Sequence, residues 1–325
     1  IDKAVEKLET AKNNLILKDG SDDKYDYSIN DISVTTTDTI LNISSSIKPN
    51  KGDKFKSGDR VKIYFEGRED AKKYKITNIS VITGKYGRSV RVRRFDNSFL
   101  MPNDDVNINV KVDENDKTVV LIPDVFDGVA TTQAQLQPEN IIDKKVNISL
   151  NTAYNREVKK VGLTLPKEVL SELVKKDVEN VSISFGDVGK LELNKEMINN
   201  LSSDDKDVNF SIKLLNISEV AMNKLKALNK NYGEKLEKEL KYIVEIKKDD
   251  EEHSNFNPYK IKVTLPYTKP DESDFDVLYL DDNTDTNKLV PISITNVNYD
   301  EDEQVITFYT DHFSKFAIQE IDKEE

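Results

Sequence analysis

The sequence predicts a mostly β, α+β chain: an N-terminal helix, a small all-β repeat domain, then a larger antiparallel α+β domain. Three observations predict it. Residues 27–112 hold short alternating apolar–polar runs broken by turn residues. After Val161 strand-like runs alternate with short helical patterns. Between them Asp113–Lys117 carries no apolar residue, as a linker would. The expected divisions are 1–20 for the helix, 27–113 for the β domain and 117–321 for the α+β domain, with room for a subdivision near 245–260.

In residues 1–17, Ala4, Leu8, Ala11 and Leu15 recur at spacings of four, three and four, which puts them on one helical face. Asp2 and Glu6 near the start and Lys18 near the end suit the helix dipole, and Gly20 suits a stop. Strands are then expected at Ile32–Thr37, Thr39–Ile43, Val61–Phe65, Ile76–Ile82, Ser89–Arg93 and Val106–Val112, with Gly84–Gly87 as a turn. Short strands punctuated in this way suggest a small sandwich or barrel.

Further strands are expected at Val119–Ile122 and Val146–Leu150, on either side of a looser stretch at 124–143. Val161–Leu165 reads as a strand, followed by a helix with Pro166 at its first position and Val169, Leu170, Leu173 and Val174 on its apolar face. Val181–Phe185 and Leu191–Leu193 read as strands. Asn194 should cap a helix carrying Met197, Ile198 and Leu201. Val208–Leu214 is a strand, and Ser218 should cap a helix with Val220, Ala221, Leu225 and Leu228. Tyr242–Ile246 and Ile261–Leu265 follow as strands.

Composition excludes several chemistries. The 325 residues contain no Cys, no Trp and two His. Thiol catalysis, Cys-ligated metal and disulfides are therefore absent. The net charge is -12, which argues against wholesale nucleic-acid binding, and no run of 18 apolar residues suggests a membrane span. The chain starts at Ile1 without a signal-like segment and ends in charged residues, so it reads as a piece of a longer protein.

Several segments carry a family resemblance. Thr310, His312, Phe313, Ser314, Phe316, Ala317 and Ile318 match the ending of a domain repeated in secreted and cell-wall proteins of Gram-positive, mostly clostridial, bacteria. Leu165, Pro166, Val169 and Leu170, with Gly189, Leu191 and Leu193, resemble the earlier half of that domain. Phe99, Met101, Pro102, Asp105 and Val106 resemble the end of a short bacterial β-repeat. Gly58, Asp59, Val61 and Ile63 resemble its upstream half. Ile1–Leu15 resembles the closing helix of a small three-helix module found in the same proteins, which often carry S-layer homology modules or enzymes elsewhere. The resemblance implies a secreted, surface location and a modular spacer, scaffold or adhesive role. It implies a cell-wall or extracellular protein or glycan as partner. It brings no catalytic residues and no cofactor.

Asp311, His312 and Ser314 include all the residue types of a hydrolase triad, but a triad is assembled from separated positions. The preferred reading is a kink between strands, with His312 and Ser314 bonding local backbone while Phe313 and Phe316 anchor the core. His253 lies in a charge run that reads as a solvated loop. Asp281, Asn283 and Asp285 open like a calcium loop, but the EF-hand's sixth and twelfth positions are Thr286 and Ile292. That motif is rejected, and an adventitious calcium site there or at Asp104–Asp105 stays open. Arg88, Arg91, Arg93 and Arg94 form a basic cluster, either a patch for an anion or acidic glycan or a solvated face paired with acids. Tyr64, Tyr74 and Tyr86 could stack on sugars or pack at edges.

Overall fold

The computed structural model describes residues 15–19, 33–36, 40–48, 55–65, 75–113, 117–150, 158–186, 188–215, 240–251, 254–270, 273–283 and 288–322. Strand dominates, with two α-helices among the described residues, so the chain is a mostly β, α+β protein. It divides into two compact units. The first runs to Ile122 and takes in Asp300–Gln304; the second comprises Pro123–Leu150, Glu157–Tyr299 and Val305–Glu325.

The first unit is built from β1 (Leu15–Asp19), β2 (Ser33–Thr36), β3 (Ile40–Ile47), β4 (Arg60–Phe65), β5 (Lys75–Thr83), β6 (Ser89–Val90), β7 (Val92–Arg93), β8 (Ser98–Leu100), β9 (Val106–Asp113) and β10 (Val119–Leu121). One sheet orders β2-β3-β9-β5-β6 and another β1-β4-β8-β7. Strand β9 shows why these residues form a sheet. Val106, Ile108, Val110 and Val112 are buried and the residues between them are not. That alternation is the period-two signature of a strand with one buried face. Leu41, Ile43 and Ile47 of β3 and Val61, Ile63 and Phe99 from the other sheet join them in one core.

Two expectations are corrected here. The N-terminal helix was expected through residue 17, but Leu15–Asp19 is a strand, paired antiparallel with Val61–Phe65. Leu15-Ile16-Leu17 is an apolar run that suits strand pairing, which satisfies its backbone; residues 1–14 lie outside those described. The run Ser89–Arg93 is not one strand. It breaks at Arg91, so that β6 pairs with β5 and β7 pairs with β8, in different sheets. Val90 and Val92 still both pack on the core.

The second unit contains β11 (Asp124–Phe126), β12 (Val129–Gln133), β13 (Lys145–Leu150), β14 (Lys160–Leu165), α1 (Lys167–Lys175), β15 (Asn180–Phe185), β16 (Lys190–Asn194), α2 (Lys195–Ser203), β17 (Val208–Leu215), β18 (Leu240–Lys248), β19 (Ser254–Asn255), β20 (Ile261–Pro266), β21 (Ser273–Asn283), β22 (Lys288–Ser293), β23 (Asn298–Asp300), β24 (Val305–Thr310), β25 (His312–Phe313) and β26 (Lys315–Asp322). One sheet orders β11-β12-β14-β17-β18-β26-β21-β22; another includes β13-β15-β16-β20-β24-β23 in that order; β19 and β25 pair separately. The two larger sheets meet through aromatic side chains. Phe308 of β24 and Phe316 of β26 lie 5.3 Å apart, both buried.

The looser stretch expected at 124–143 contains the hairpin β11–β12. Its turn, Asp127-Gly128, has positive φ at both residues, 48° and 75°, as a tight hairpin turn with strand-like twist requires. The second unit is not wholly antiparallel, since β12 pairs with β14, and β13 with β15, in parallel. The chain passes from β13 to β15 through β14 and α1, and a parallel pair needs such a crossover. Pro166 is not the first residue of α1 but sits before it, extended. The Lys167 N–H instead donates to Asp207 Oδ1 at 2.9 Å. Val174, expected on the buried face of α1, is exposed, while Leu170 and Leu173 are buried. Helix α2 follows expectation: Asn194 Oδ1 accepts from the Met197 N–H at 2.9 Å, and Met197, Ile198 and Leu201 are buried. The helix expected after Ser218, with Val220, Ala221, Leu225 and Leu228, lies outside the described residues.

Candidate functional site

Strand β24 ends at Thr310, and the chain must turn before β26. Thr310 Oγ1 makes the turn: it donates to the His312 carbonyl at 2.7 Å and accepts from the His312 N–H at 3.2 Å. The turn is also a two-residue strand, with His312 opposite Asn255 and Phe313 opposite Ser254. The Asp311 carbonyl accepts from the Phe256 N–H at 2.6 Å, and the Ser314 carbonyl from the Ile246 N–H at 2.8 Å. Phe313 is buried between Phe256 and Phe210, with ring centroids 4.8 and 6.1 Å away.

Asp311 and His312 do touch. His312 Nδ1 lies 2.7 Å from Asp311 Oδ1, and this bond holds the Asp311 carboxyl below the usual carboxylate range against its partial burial. The other ring nitrogen, Nε2, is buried and makes no hydrogen bond. The imidazole instead meets the Tyr279 ring edge-on at 4.2 Å and stacks near Phe316 at 6.3 Å. A Ser–His–Asp machine needs a hydroxyl bonded to the second nitrogen. Here that nitrogen faces no such group, and Ser314 itself is buried.

The four arginines fall into different settings. Arg93 turns inward: its Nε donates to Asp96 Oδ1 at 2.8 Å, and a second nitrogen pairs with Asp96 Oδ2. Ser98 Oγ donates to Asp96 at 2.5 Å, and Arg60 Nη1 donates to Ser98 Oγ at 3.1 Å. Burial pushes the Asp96 carboxyl up, but the Arg93 hydrogen bond and charge, Lys62 and Ser98 together outweigh it and leave it low. Arg91 lies 3.9 and 3.8 Å from Glu301 and Asp302, and Arg94 3.7 Å from Glu303, acids that belong to the same unit.

Arg88 is set apart from these three. It lies at the base of the turn joining β5 and β6, with its Cζ 5.2 Å from the centre of the Tyr86 ring; Lys85 Nζ is 5.0 Å from the same ring. The turn is pinned at several points. The Thr83 N–H donates to the Arg88 carbonyl at 2.9 Å, the Arg88 N–H to Thr83 Oγ1 at 3.0 Å, and the Gly87 N–H to the Thr83 carbonyl at 3.0 Å. Gly87 has a φ of +60°, which glycine adopts without steric cost. A Cβ on Gly84 would sit 3.2 Å from the Asp105 Cβ, so glycine allows the chain's close approach there.

The two halves expected of the β-repeat meet in space. The Gly58 N–H donates to the Met101 carbonyl and the Met101 N–H to the Asp59 carbonyl, both at 2.8 Å. Val61 pairs with Phe99 in the adjoining strands. Of the calcium candidates, Asp281 and Asn283 lie at the end of β21, opposite Val290 and Lys288; Asp285 is outside the described residues. Asp104 Oδ1 accepts from the Asp105 N–H at 2.8 Å. Among the described residues no group of three or more His, Asp or Glu is placed to hold a metal. His253, Tyr74 and the Tyr64 side chain are outside the described set. No described helix is long and apolar enough to cross a membrane.

The carboxylate that claims Arg93 was not read from the sequence, although Arg93 and Asp96 are only three residues apart. The aromatic partner of Arg88 was also missed; the signal was Lys85-Tyr86-Gly87-Arg88, two cations around a ring in a glycine turn. No known family model and no curated protein matches the chain.

Proposed function

We propose that the chain is a non-catalytic spacer, scaffold or adhesive stretch of a secreted protein on the surface of a Gram-positive bacterium, whose partners are cell-wall or extracellular proteins or glycans. The observation that carries this reading is the use made of the Thr310–Phe316 segment. The Thr310 hydroxyl is bonded within the turn, the Asp311 and Ser314 carbonyls accept from Phe256 and Ile246, and the Phe313 and Phe316 rings pack in the core. The sequence resemblance supplies the surface location, and the pairing of Gly58-Asp59 with Met101 supports it by giving the resembling motif a physical basis. Two compact units in one chain suit a spacer, because each carries its own core.

The test is a broad screen of glycosidase, peptidase and esterase substrates on the intact chain. Background rates are expected throughout. Turnover that disappears in His312→Ala contradicts the reading.

A further inference from the structure

We propose that the Gly84–Arg88 turn is a binding site for an acidic polysaccharide, one carrying carboxylate or sulfate groups along a sugar chain. This deepens the adhesive side of the proposed function and rests on it. Its failure leaves the spacer reading intact, because that reading is tested by turnover.

Three features point to the site. First, the turn projects its side chains: Lys85, Tyr86 and Arg88 are all exposed, and Tyr86 is 63% exposed, unusual for so large a ring. Second, its charges are available. Among the described residues no carboxylate lies within 4 Å of Lys85 or Arg88, whereas Arg91, Arg93 and Arg94 each have at least one. The protein's net charge is -12, so this turn sets exposed positive charge against an acidic background. Third, the turn is preorganised. The bonds around Thr83 and the Gly84 N–H to the Asp105 carbonyl, at 2.6 Å, fix the backbone that presents the ring and both cations. A site held in shape before binding loses less freedom when the ligand arrives.

The ligand class follows from that chemistry. The Tyr86 ring gathers Lys85 and Arg88 through its electron-rich face, so two positive charges flank one aromatic surface. An acidic glycan offers the complement: anionic groups for the cations gathered at the ring, and hydroxyls for the exposed phenol. A nucleic-acid duplex suits the site less. Its phosphates are packed more densely along the axis than the carboxylates of an acidic glycan, so an acidic protein repels it more strongly beyond the two cations.

The experiment measures binding of the intact chain to polygalacturonate at low ionic strength, where exposed charges are least screened. Neutral dextran and duplex DNA serve as comparison probes. Polygalacturonate is expected to bind and to be released by salt, and dextran is expected not to bind. The Lys85→Ala/Arg88→Ala double variant should bind at least about tenfold more weakly, as the loss of charge-assisted contacts implies. Tyr86→Ala, which keeps both charges, should weaken binding several-fold. Both variants change exposed side chains only, and an unchanged melting temperature establishes that they are folded. The proposal is overturned if the unaltered chain fails to bind polygalacturonate, if the folded double variant binds as well as the unaltered chain, if dextran binds equally, or if DNA binds more tightly.

Discussion

Arg93 and Asp96, three residues apart, grip each other through two hydrogen bonds with both side chains largely buried. This fixes the tight turn between β7 and β8, in which Asn97 takes a φ of 51°. Asp96 also gathers Ser98 and the Lys62 charge, and through Ser98 it reaches Arg60. Removing it leaves buried positive charge without its carboxylate. Asp96→Ala should therefore cost about 3–5 kcal/mol, the range for breaking a buried ion pair from one side. Urea unfolding measures this, and a loss under about 1 kcal/mol, the size of a surface pair, contradicts the buried role.

The same carboxylate should set part of the acid sensitivity. Its folded pKa is depressed below the ordinary value of 3.8. A depressed carboxylate stabilises the fold above its unfolded pKa, and that contribution is lost as the pH falls through the folded value. Stability should fall on acidification below about pH 4, and Asp96→Asn should show a shallower fall. An identical acid slope in the variant counts against the pairing.

His312 and Phe313 share a turn but should differ in weight. His312 is partly exposed and bonds Asp311, so His312→Ala should lower stability by about 1–3 kcal/mol. Phe313 is buried against two other rings, so Phe313→Ala should cost about 3–5 kcal/mol. Equilibrium denaturation ranks them; the reverse order contradicts the packing described.

In the turn at Gly84–Arg88, Gly87→Ala should cost about 1–2 kcal/mol, because an L-residue there takes a left-handed conformation while its Cβ meets nothing within 4 Å. Thermal melting checks it. An unchanged melting temperature means that the turn relaxes to another form.

Sequence reasoning worked where the physics is local. The alternation in β9 and the Asn194 cap of α2 depend only on neighbouring residues, and both were legible. It failed where a distant partner decides. The break at Arg91 arises because β6 and β7 pair with different strands, and α1 begins without a local cap because Asp207 lies forty residues away. Strand β25 exists because Ser254–Asn255 lies alongside it. The β11–β12 hairpin was missed although it is local and Asp127-Gly128 is a strong turn signal. At the arginine cluster the residue types were visible, but their division between Asp96, the Glu301–Glu303 acids and Tyr86 depended on side-chain placement.

Scanning calorimetry of the intact chain beside its Asp96→Ala and Phe313→Ala variants tests most directly whether each compact unit melts on its own core. Asp96 lies in the core-bearing first unit and Phe313 in the second. Two transitions are expected, one lowered by Asp96→Ala alone and the other by Phe313→Ala alone. A single transition that both substitutions lower together would contradict it.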